Sequence, residues 1–463
     1  MSTAVRPDPS PATARPAPPP PAGRTRALIG IALGYFMVLL DTTVLAVAEP
    51  DLARSLGAST AGLQWAVTGY SVAFGALLLS AGAVADRYGA HRSFRYGVAL
   101  FGLGSALSAL APDLTVLVVL RALLGVAAAA CVPASMALIS HLYPVPAERA
   151  RAIAVWAAVS GCAMAFGPAV GGVLVGLAGW RSVFWVNVPL AVLVLALVAG
   201  PAVRVPAGRR RIDWWGQLAA CAVLALVTDV LIALGSGDWT HAGYSAAAAA
   251  VVALLFAARE RRSPAPVLAG PVLRAPGMRP VLLAGAAVNF TMLGVLFVLP
   301  LLLQRTLHLS PALAGAAFLP MTLPPGFNPL LTGRLVAKVG PWRPALAGLA
   351  LLTLGCLVFA LAVLVGTPYP LLAVGLLAAG FGVSFALPAL ITAVMSTAPT
   401  GTAGAAGGLL NAARQVGATL GVAVMGAFAG STGGTAVALL LPALACAAAG
   451  AVLLPRLTLR QDG

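Results

Sequence analysis

Long apolar runs, separated by short charged or Pro/Gly-rich breaks, fill the chain from residue 27 to residue 455. A helix that crosses a bilayer needs roughly 20 apolar residues, and fourteen runs come close to or exceed that length. The predicted helices are 27–48, 61–84, 94–111, 114–136, 150–177, 182–202, 214–234, 242–258, 280–303, 311–331, 345–366, 370–396, 403–429 and 435–455. The eighth of these is short and rich in alanine.

Composition favours a membrane protein with many spans over a soluble core. The sequence is 60% hydrophobic and 9% charged, whereas about 25% of residues are charged in soluble proteins. A net charge of +16 would suggest nucleic-acid binding in a soluble chain, but here the arginines cluster in short loops between apolar runs, as at a cytoplasmic membrane face. The five cysteines lie singly within apolar runs, so we expect packing roles for them and no metal site.

The basic residues also predict an orientation. With a cytoplasmic N-terminus, fourteen spans place 23 of the 28 basic residues in cytoplasmic segments, three outside and two within spans. This asymmetry favours a multi-pass protein of a bacterial cytoplasmic membrane with both termini in the cytoplasm. The apolar start could be a signal peptide, but the first run is too long for one and contains Asp41. We therefore expect an uncleaved first span.

One internal repeat indicates two related halves. Residues 82–92 read GAVADRYGAHR and residues 333–343 read GRLVAKVGPWR. Glycines match at the first and eighth positions, a basic residue at the sixth and arginine at the eleventh. The two copies are 251 residues apart, which leaves room for six helices and two extra ones.

The spans and breaks together predict an all-α membrane protein with five segments. They are a disordered cytoplasmic tail over 1–26, a six-helix bundle over 27–203, a linker with two extra transmembrane helices over 204–279, a second six-helix bundle over 280–455 and a cytoplasmic tail over 456–463. The first tail is rich in Pro, Ala and Arg and has no apolar periodicity, which is typical of disorder.

Three ionisable residues within the spans are candidates for proton coupling. Asp41 lies well inside the first span, Arg121 in the outer part of the fourth and Asp229 toward the outer end of the seventh. Intramembrane acids are costly and are functional by default, and a carboxylate balanced between desolvation and a nearby cation can take up and release protons. The alternatives are a static pair that holds helices together for Asp41 and Arg121, and a solvated interfacial carboxylate for Asp229.

The partner of Arg121 is left open by the sequence. Its guanidinium stays charged, and both Asp41 and Asp113 are candidates to pair with it. Glu49 and Asp51 lie at the outer end of the first span, where we expect both to be solvated.

Polar residues also interrupt the thirteenth span at Asn411, Arg414 and Gln415. They predict either a water-lined face or a polar contact between helices. His241 falls in a predicted loop and receives no role.

The first repeat copy has the character of a tight cytoplasmic gate loop. Gly82 and Gly89 permit close approach and positive φ. Asp86 can accept backbone donors at a helix N-terminus of the opposite half, and Arg87 and Arg92 supply counter-charges. Such a loop would close the inner side in one conformation and release it in the other. The alternative is ordinary positive charge on a cytoplasmic loop.

Small residues recur at a spacing of four in the fifth span, where residues 161–172 read GCAMAFGPAVGG. Gly167 and Gly171 stack on one helix face, which lets two membrane helices approach backbone to backbone. Pro168 removes a backbone donor and bends the helix, and Gly172 completes the pattern GPxxGG. A helix-dimer seam is the plain interpretation of small residues at this spacing.

Together these motifs resemble those of the major facilitator superfamily, in particular its fourteen-helix drug:proton antiporters of the EmrB/QacA type. Residues 40–50, LDTTVLAVAEP, resemble the first-helix signature LDxTIVNVALP of that family. Residues 82–92 resemble its GxLaDrxGrk loop, Arg121 and Gly125 match its RxxxG pattern, and residues 167–172 match its GPxxGG antiporter motif. The match covers about 28 to 455.

Two departures from the family pattern concern the gate loops. Ala90 and His91 replace the usual basic pair of the first copy, and the second copy has Ala337 where the first has Asp86. The second loop is therefore expected to hold the cytoplasmic side closed less strongly than the first.

The resemblance implies a major facilitator fold of two six-helix bundles plus two extra central helices. It further implies a proton-coupled efflux transporter that exports drugs or antibiotic-like organic compounds by alternating access. An uptake or facilitative permease for a small metabolite is the alternative on the same fold, and a non-transporting membrane sensor is a third class.

The same resemblance and the lack of other motifs limit the cofactors and partners. The sequence has no Walker A loop and no nucleophile or metal constellation, so we expect no enzyme, no cofactor and a proton gradient as the energy source. The expected partners are a small organic substrate, protons and the lipid bilayer, with no nucleic acid. We expect a monomer.

Overall fold

The computed structural model describes residues 21–200, 203, 213–263, 267–268, 270–399, 402–429 and 432–455. Within these ranges the regular structure is helical and includes no strand. The helices are α1 (Pro21–Leu56), α2 (Thr60–Tyr88), α3 (Ala90–Ala109), α4 (Leu114–Leu142), α5 (Pro146–Ala178), α6 (Ser182–Trp185), α7 (Asn187–Leu197), α8 (Trp214–Gly235), α9 (Trp239–Arg262), α10 (Gly270–Leu273), α11 (Met278–Arg305), α12 (Pro311–Ala317), α13 (Leu319–Thr322), α14 (Pro324–Phe327), α15 (Pro329–Val339), α16 (Trp342–Leu364), α17 (Tyr369–Thr397), α18 (Ala403–Phe428) and α19 (Thr432–Leu453). The predicted tail over 456–463, most of the tail over 1–26 and the basic stretch 204–212 lie outside the described residues.

Each of the fourteen predicted runs falls on one helix or on a series of short helices. Among the described residues, nine helices are long and apolar enough to cross a membrane, and α2 makes a tenth if its two parts, bent by 62° between Leu78 and Ser80, count as one span. The other predicted spans coincide with helices that are short, broken or rich in polar side chains. The fold is therefore an all-helical membrane fold with nine or ten clear spans.

Prolines explain the clearest difference between pattern and structure. The predicted single helix over 311–331 is a series of short helices, α12 to α15. Prolines occupy the first turn of each of the four, where the missing N–H is tolerated. Those in α13, α14 and α15 prevent the preceding short helix from continuing. The apolar pattern shows the length of this segment but not its breaks.

The helices pack into two groups joined by a hairpin. In the first group α1 packs along α5 and α7, and α4 packs along α2 and α3. In the second group α16 packs along α17 and α19, and α11 packs along α18 and α19. The hairpin of α8 and α9 contacts both groups, because α8 lies against α2 and α18.

The hairpin is fastened at its base by a carboxylate. Asp213 caps the N-terminus of α8 by accepting from the Gly216 N–H at 3.0 Å, and it forms an ion pair with Arg259 of α9 at 3.0 Å. Burial raises the pKa of Asp213, but hydrogen bonds from the side chains of Arg259 and Ser263 and from Gly216 outweigh burial and lower the pKa to about 2. The carboxylate therefore stays ionised at physiological pH, and the two helices remain joined.

Loops of the first helix group meet at one end of the molecule, which we call the Gly57 end. There the Trp180 N–H donates to Asp51 at 2.9 Å, and Arg181 donates to the Ala111 carbonyl at 3.3 Å. The opposite end is called the Gly89 end after the loop between α2 and α3.

Among the described residues, the hydrogen bonds that join the two groups lie toward the Gly57 end. Gln64 of α2 donates to the carbonyls of Val422 at 3.1 Å and Ala423 at 2.7 Å on α18. Gln304 of α11 donates to the Val47 carbonyl of α1 at 3.0 Å. In this conformation the two groups are therefore closed together at the Gly57 end.

Candidate functional site

Asp41 and Arg121 form a buried ion pair between α1 and α4. Their side chains are 2% and 1% exposed, and Arg121 Nη1 donates to Asp41 Oδ2. Arg121 Nε also donates to the Ala66 carbonyl of α2 at 3.0 Å, and its guanidinium lies 4.6 Å from the centre of the Tyr70 ring. The guanidinium of α4 thus has partners on α1 and α2 and ties the three helices together.

Asn187 completes the surroundings of the Asp41 carboxylate. Its Nδ2 donates to Asp41 Oδ1 at 3.1 Å and to Ser105 Oγ of α3 at 3.3 Å, and the residue is fully buried at the start of α7. Neither Asn187 nor Ser105 is predicted from the sequence to have a role. The one available signal was a polar amide next to a long apolar run, in WRSVFWVNVP.

Of the two candidate partners for Arg121, the structure selects Asp41. Asp113 instead caps the N-terminus of α4, where its carboxylate accepts from the Val116 N–H at 2.9 Å. Asp41 therefore points into the first helix group. Its sequence neighbours Thr42 and Thr43 line crevices between the two groups.

Two narrow crevices lie between the helix groups. The first encloses about 290 Å³ of empty space. It is lined by Thr43, Met164, Met292, Leu296, Met321, Thr322, Pro325 and Val383. The second encloses about 210 Å³. It is lined by Thr42, Leu45, Ala46, Glu49, Val67, Leu293, Leu296 and Phe297. These figures include space open to solvent, and each crevice leaves room for little more than a water molecule, so the interface is tightly packed in this conformation.

The GPxxGG residues of α5 lie where α5 meets α1 and α12. A Cβ at Gly167 would collide with the Thr43 side chain, and one at Gly171 would lie 2.8 Å from the Val44 carbonyl oxygen. A Cβ at Gly172 would collide with the Pro311 carbonyl at the start of α12. The glycines therefore allow α5 to touch one helix of its own group and one helix of the other.

Pro168 lies in the same contact between the groups. Its carbonyl faces Gly315 of α12 so closely that a Cβ on Gly315 would collide with it. Gly172 and Gly315 thus join the two groups by direct backbone contact, whereas Gly167 and Gly171 form a glycine seam with α1 inside the first group.

The predicted gate loop forms a tight connection at the Gly89 end. α2 ends at Tyr88 and α3 begins at Ala90, with Gly89 between them at φ 91°. This positive φ suits the glycine. Asp86, Arg87 and Arg92 are exposed on this loop, and the partner proposed for Asp86 in the opposite half stays a prediction. The expected close approach at Gly82 is not seen, since a Cβ there would meet no described atom within 4 Å.

Asp229 belongs to a separate cluster within the hairpin. Its Oδ2 accepts from Ser245 Oγ at 2.5 Å and lies 2.8 Å from His241 Nε2. His241 lies in the first turn of α9 rather than in the loop that the sequence predicts. The structure therefore pairs Asp229 with α9 and not with the Asp41 cluster.

Glu49 differs from its predicted environment. The sequence pattern predicts a solvated carboxylate, but the residue is only 2% exposed and lines the second crevice. The α1 helix continues to Leu56, seven residues past Glu49, so this residue is not at the helix end. Asp51 is half-buried and bonds to Trp180.

The polar residues of α18 form helix contacts. Arg414 Nε donates to Asn289 of α11 at 3.1 Å, and its Nη1 donates to Asn411 at 3.1 Å. Gln415 packs against Gly75 of α2. These contacts favour the second of the two interpretations of this span, a polar contact between helices.

Comparison with known families agrees with the motifs and the fold. The sequence matches the Major Facilitator Superfamily over residues 31–422 and again over 281–461. The chain belongs to this superfamily. The second match covers the second helix group alone, in keeping with the internal repeat. The chain is therefore a multi-pass membrane transporter and not an enzyme.

Solved transporters share the fold at low sequence identity. A POT family transporter in complex with 5-aminolevulinic acid aligns with a TM-score of 0.73 and 12% identity, over 95% of this chain and 97% of that one. A bacterial homologue of the human lysosomal transporter Spinster, in an inward-facing and unoccupied conformation, aligns with a TM-score of 0.69 and 17% identity, over 94% of this chain and 97% of that one.

Curated relatives share much more of the sequence. The drug efflux pump JefA of Mycobacterium tuberculosis is 37% identical over 86% of this chain and 79% of its own length. The methylenomycin A resistance protein of Bacillus subtilis is 33% identical over 86% of each chain. The tetracenomycin C resistance and export protein of Streptomyces glaucescens is 32% identical over 92% of this chain and 80% of its own.

The buried pair generates a first prediction, tested by a double-mutant cycle. Asp41→Leu or Arg121→Met alone should reduce the free energy of unfolding by about 3–5 kcal/mol, because each leaves one charge buried without its partner. The double variant should lose less than the two single losses combined. Asp113→Leu is the control, and it should lose only the roughly 0.5–2 kcal/mol of an N-cap. The measurement is unfolding of the purified protein in detergent, and strictly additive losses would contradict the pairing.

Proposed function

We propose that the protein exports drugs or antibiotic-like organic compounds across the cytoplasmic membrane. The observation that carries this proposal is its similarity to efflux and resistance proteins, at 32–37% identity, over 86% or more of the chain. The GPxxGG seam of α5 supports it, since this motif is typical of antiporters in the family that the sequence resembles. The alternative of an uptake permease predicts the opposite direction of pumping.

We assign the chain to the fourteen-span EmrB/QacA type of the superfamily. Fourteen apolar runs, each overlapping one or more helices, support this assignment. The two extra spans would be α8 and α9, between bundles over 27–203 and 280–455. Both termini would then lie in the cytoplasm, and the Gly57 end would face outward.

Transport would proceed by alternating access, with the two helix groups rocking around the crevices between them. The contact made by Gly172 and Gly315 supports this mechanism. Because α5 and α12 touch through their backbones, no long side chains interlock at this contact, and the two groups can separate there. The gate loop of Asp86, Arg87 and Arg92 would hold the Gly89 end in the opposite state.

Proton coupling is assigned to Asp41 and Arg121. Protonation of Asp41 would remove the negative charge that holds Arg121 and would loosen the link between α1 and α4. Asn187 is suited to both states: its Oδ1 is buried without a hydrogen-bond partner among the described residues, and an amide rotation would let it accept from the protonated acid. Asp229 is a second, weaker candidate because its partners lie on the hairpin.

The topology gives a second prediction. Single cysteines at Ser236 and Pro368, both exposed, should react with an impermeant thiol reagent in intact cells when placed in a cysteine-free background. Cysteines at Ser263 and Arg456 should react only after permeabilisation. External labelling at Ser263 would contradict the fourteen-span orientation.

The third prediction tests export and its coupling together. Expression in a pump-deficient host should identify compounds that lose toxicity, and everted vesicles with an imposed pH gradient should accumulate such a compound. Asp41→Asn mimics the protonated acid and should abolish uphill transport while keeping downhill exchange. Asp229→Asn should have a milder effect at matched expression.

The direction of pumping separates export from uptake in the same vesicles. For a cationic compound, each 100 mV of membrane potential adds about 2.3 kcal/mol per net charge moved, so the potential must be controlled with ionophores. Uphill transport that survives in Asp41→Asn but is lost in Asp229→Asn would transfer the coupling role to the hairpin.

A further inference from the structure

Glu49 is a departure from the signature of the first span. The family pattern LDxTIVNVALP has leucine at the position that Glu49 occupies in LDTTVLAVAEP. The chain therefore carries a second carboxylate in α1, eight residues after Asp41 and so on a nearby face of the helix. The family pattern gives this position no charge.

The described surroundings of Glu49 provide no close partner for its charge. The side chain is 2% exposed, and its Oε2 has no hydrogen-bond partner among the described residues. It lies in the second crevice, where Leu293, Leu296 and Phe297 of α11 face α1. By contrast, both Asp41 oxygens accept hydrogen bonds from Arg121 and Asn187.

Among the described residues, Arg305 is the cationic side chain that acts electrostatically on Glu49 from a neighbouring helix. Arg305 is the last residue of α11 and is exposed. An exposed guanidinium contributes little to a pair, whereas a buried carboxylate without a close partner costs several kcal/mol. A buried charge without a close partner is a local cost of the kind expected at functional sites.

We propose that Glu49 binds the positive charge of a transported compound, an ammonium or similar monovalent cation carried on an apolar body. This inference rests on the proposed export of organic compounds and names their charge class. The leucines suit the apolar body, and the face of an aromatic ring such as Phe297 attracts cations. The two crevices share Leu296, so a ligand larger than either could occupy both once the helix groups separate.

Two probes of the same shape and opposite charge test the proposal, namely tetraphenylphosphonium and tetraphenylborate. Their binding to the purified full-length protein in detergent is measured by titration calorimetry. The wild type should bind tetraphenylphosphonium. Glu49→Gln should weaken that binding about tenfold or more, the effect of losing a hydrogen bond or contact to a charged group. Binding of tetraphenylborate should not weaken.

Two further variants separate a specific site from general charge. Glu49→Asp keeps the charge and should retain most of the affinity. Asp51→Asn removes a charge two residues away on the same helix, from a carboxylate that already accepts from the Trp180 N–H, and should bind like the wild type. Thermal unfolding of each variant checks that it is folded.

Three results would each overturn the proposal. They are the absence of tetraphenylphosphonium binding by the wild type, equal affinities for wild type and Glu49→Gln, and an equal loss in Asp51→Asn. Because binding is measured without transport, its outcome is independent of the export assay. Export of neutral compounds without cation binding would leave the proposed function intact and remove the role of Glu49.

Discussion

The Asp41–Arg121 pair places two opposite charges inside an apolar helical bundle, and the first half of the molecule is built around satisfying them. Breaking such a pair costs far more than forming it gains, so α1, α2, α3, α4 and α7 must keep their relative positions while the pair is intact. Arg121 binds the Ala66 carbonyl as well as Asp41, and Asn187 links Asp41 to Ser105. The consequence is a group of helices that the buried pair holds together as one unit.

The contact between the two groups has a different chemistry. It relies on close glycine contacts, on short helices that begin with prolines, and on a few hydrogen bonds from Gln64 and Gln304 to backbone carbonyls. Without a hydrophobic driving force in lipid, such small-residue contacts hold helices by close packing, and they separate without leaving a buried charge unpaired. A stiff unit and a separable seam are the two mechanical parts that alternating access requires.

Much of this architecture could be predicted from the sequence. The apolar runs located the helices, and the positions of Asp41, Arg121 and the GPxxGG motif marked the pair and the seam. The sequence could not show which acid Arg121 binds, because sequence position alone does not tell whether Asp41 or Asp113 lies beside Arg121 in the folded protein. It also missed Asn187, Ser105 and His241, whose roles depend on helices brought together from distant segments. The prediction that Glu49 is solvated was wrong because the apolar run ends just before this residue, whereas the helix α1 continues to Leu56.

The central claim is that the two helix groups close alternately at the Gly57 end and the Gly89 end. Distances between paired spin labels test it most directly, with one pair at Ser55 and Thr306 and a second at Arg95 and Arg343, all exposed positions. When a shift in pH or Asp41→Asn changes the conformation, the first distance should lengthen while the second shortens. Distances that stay fixed, or that change in the same direction at both ends, would contradict the account.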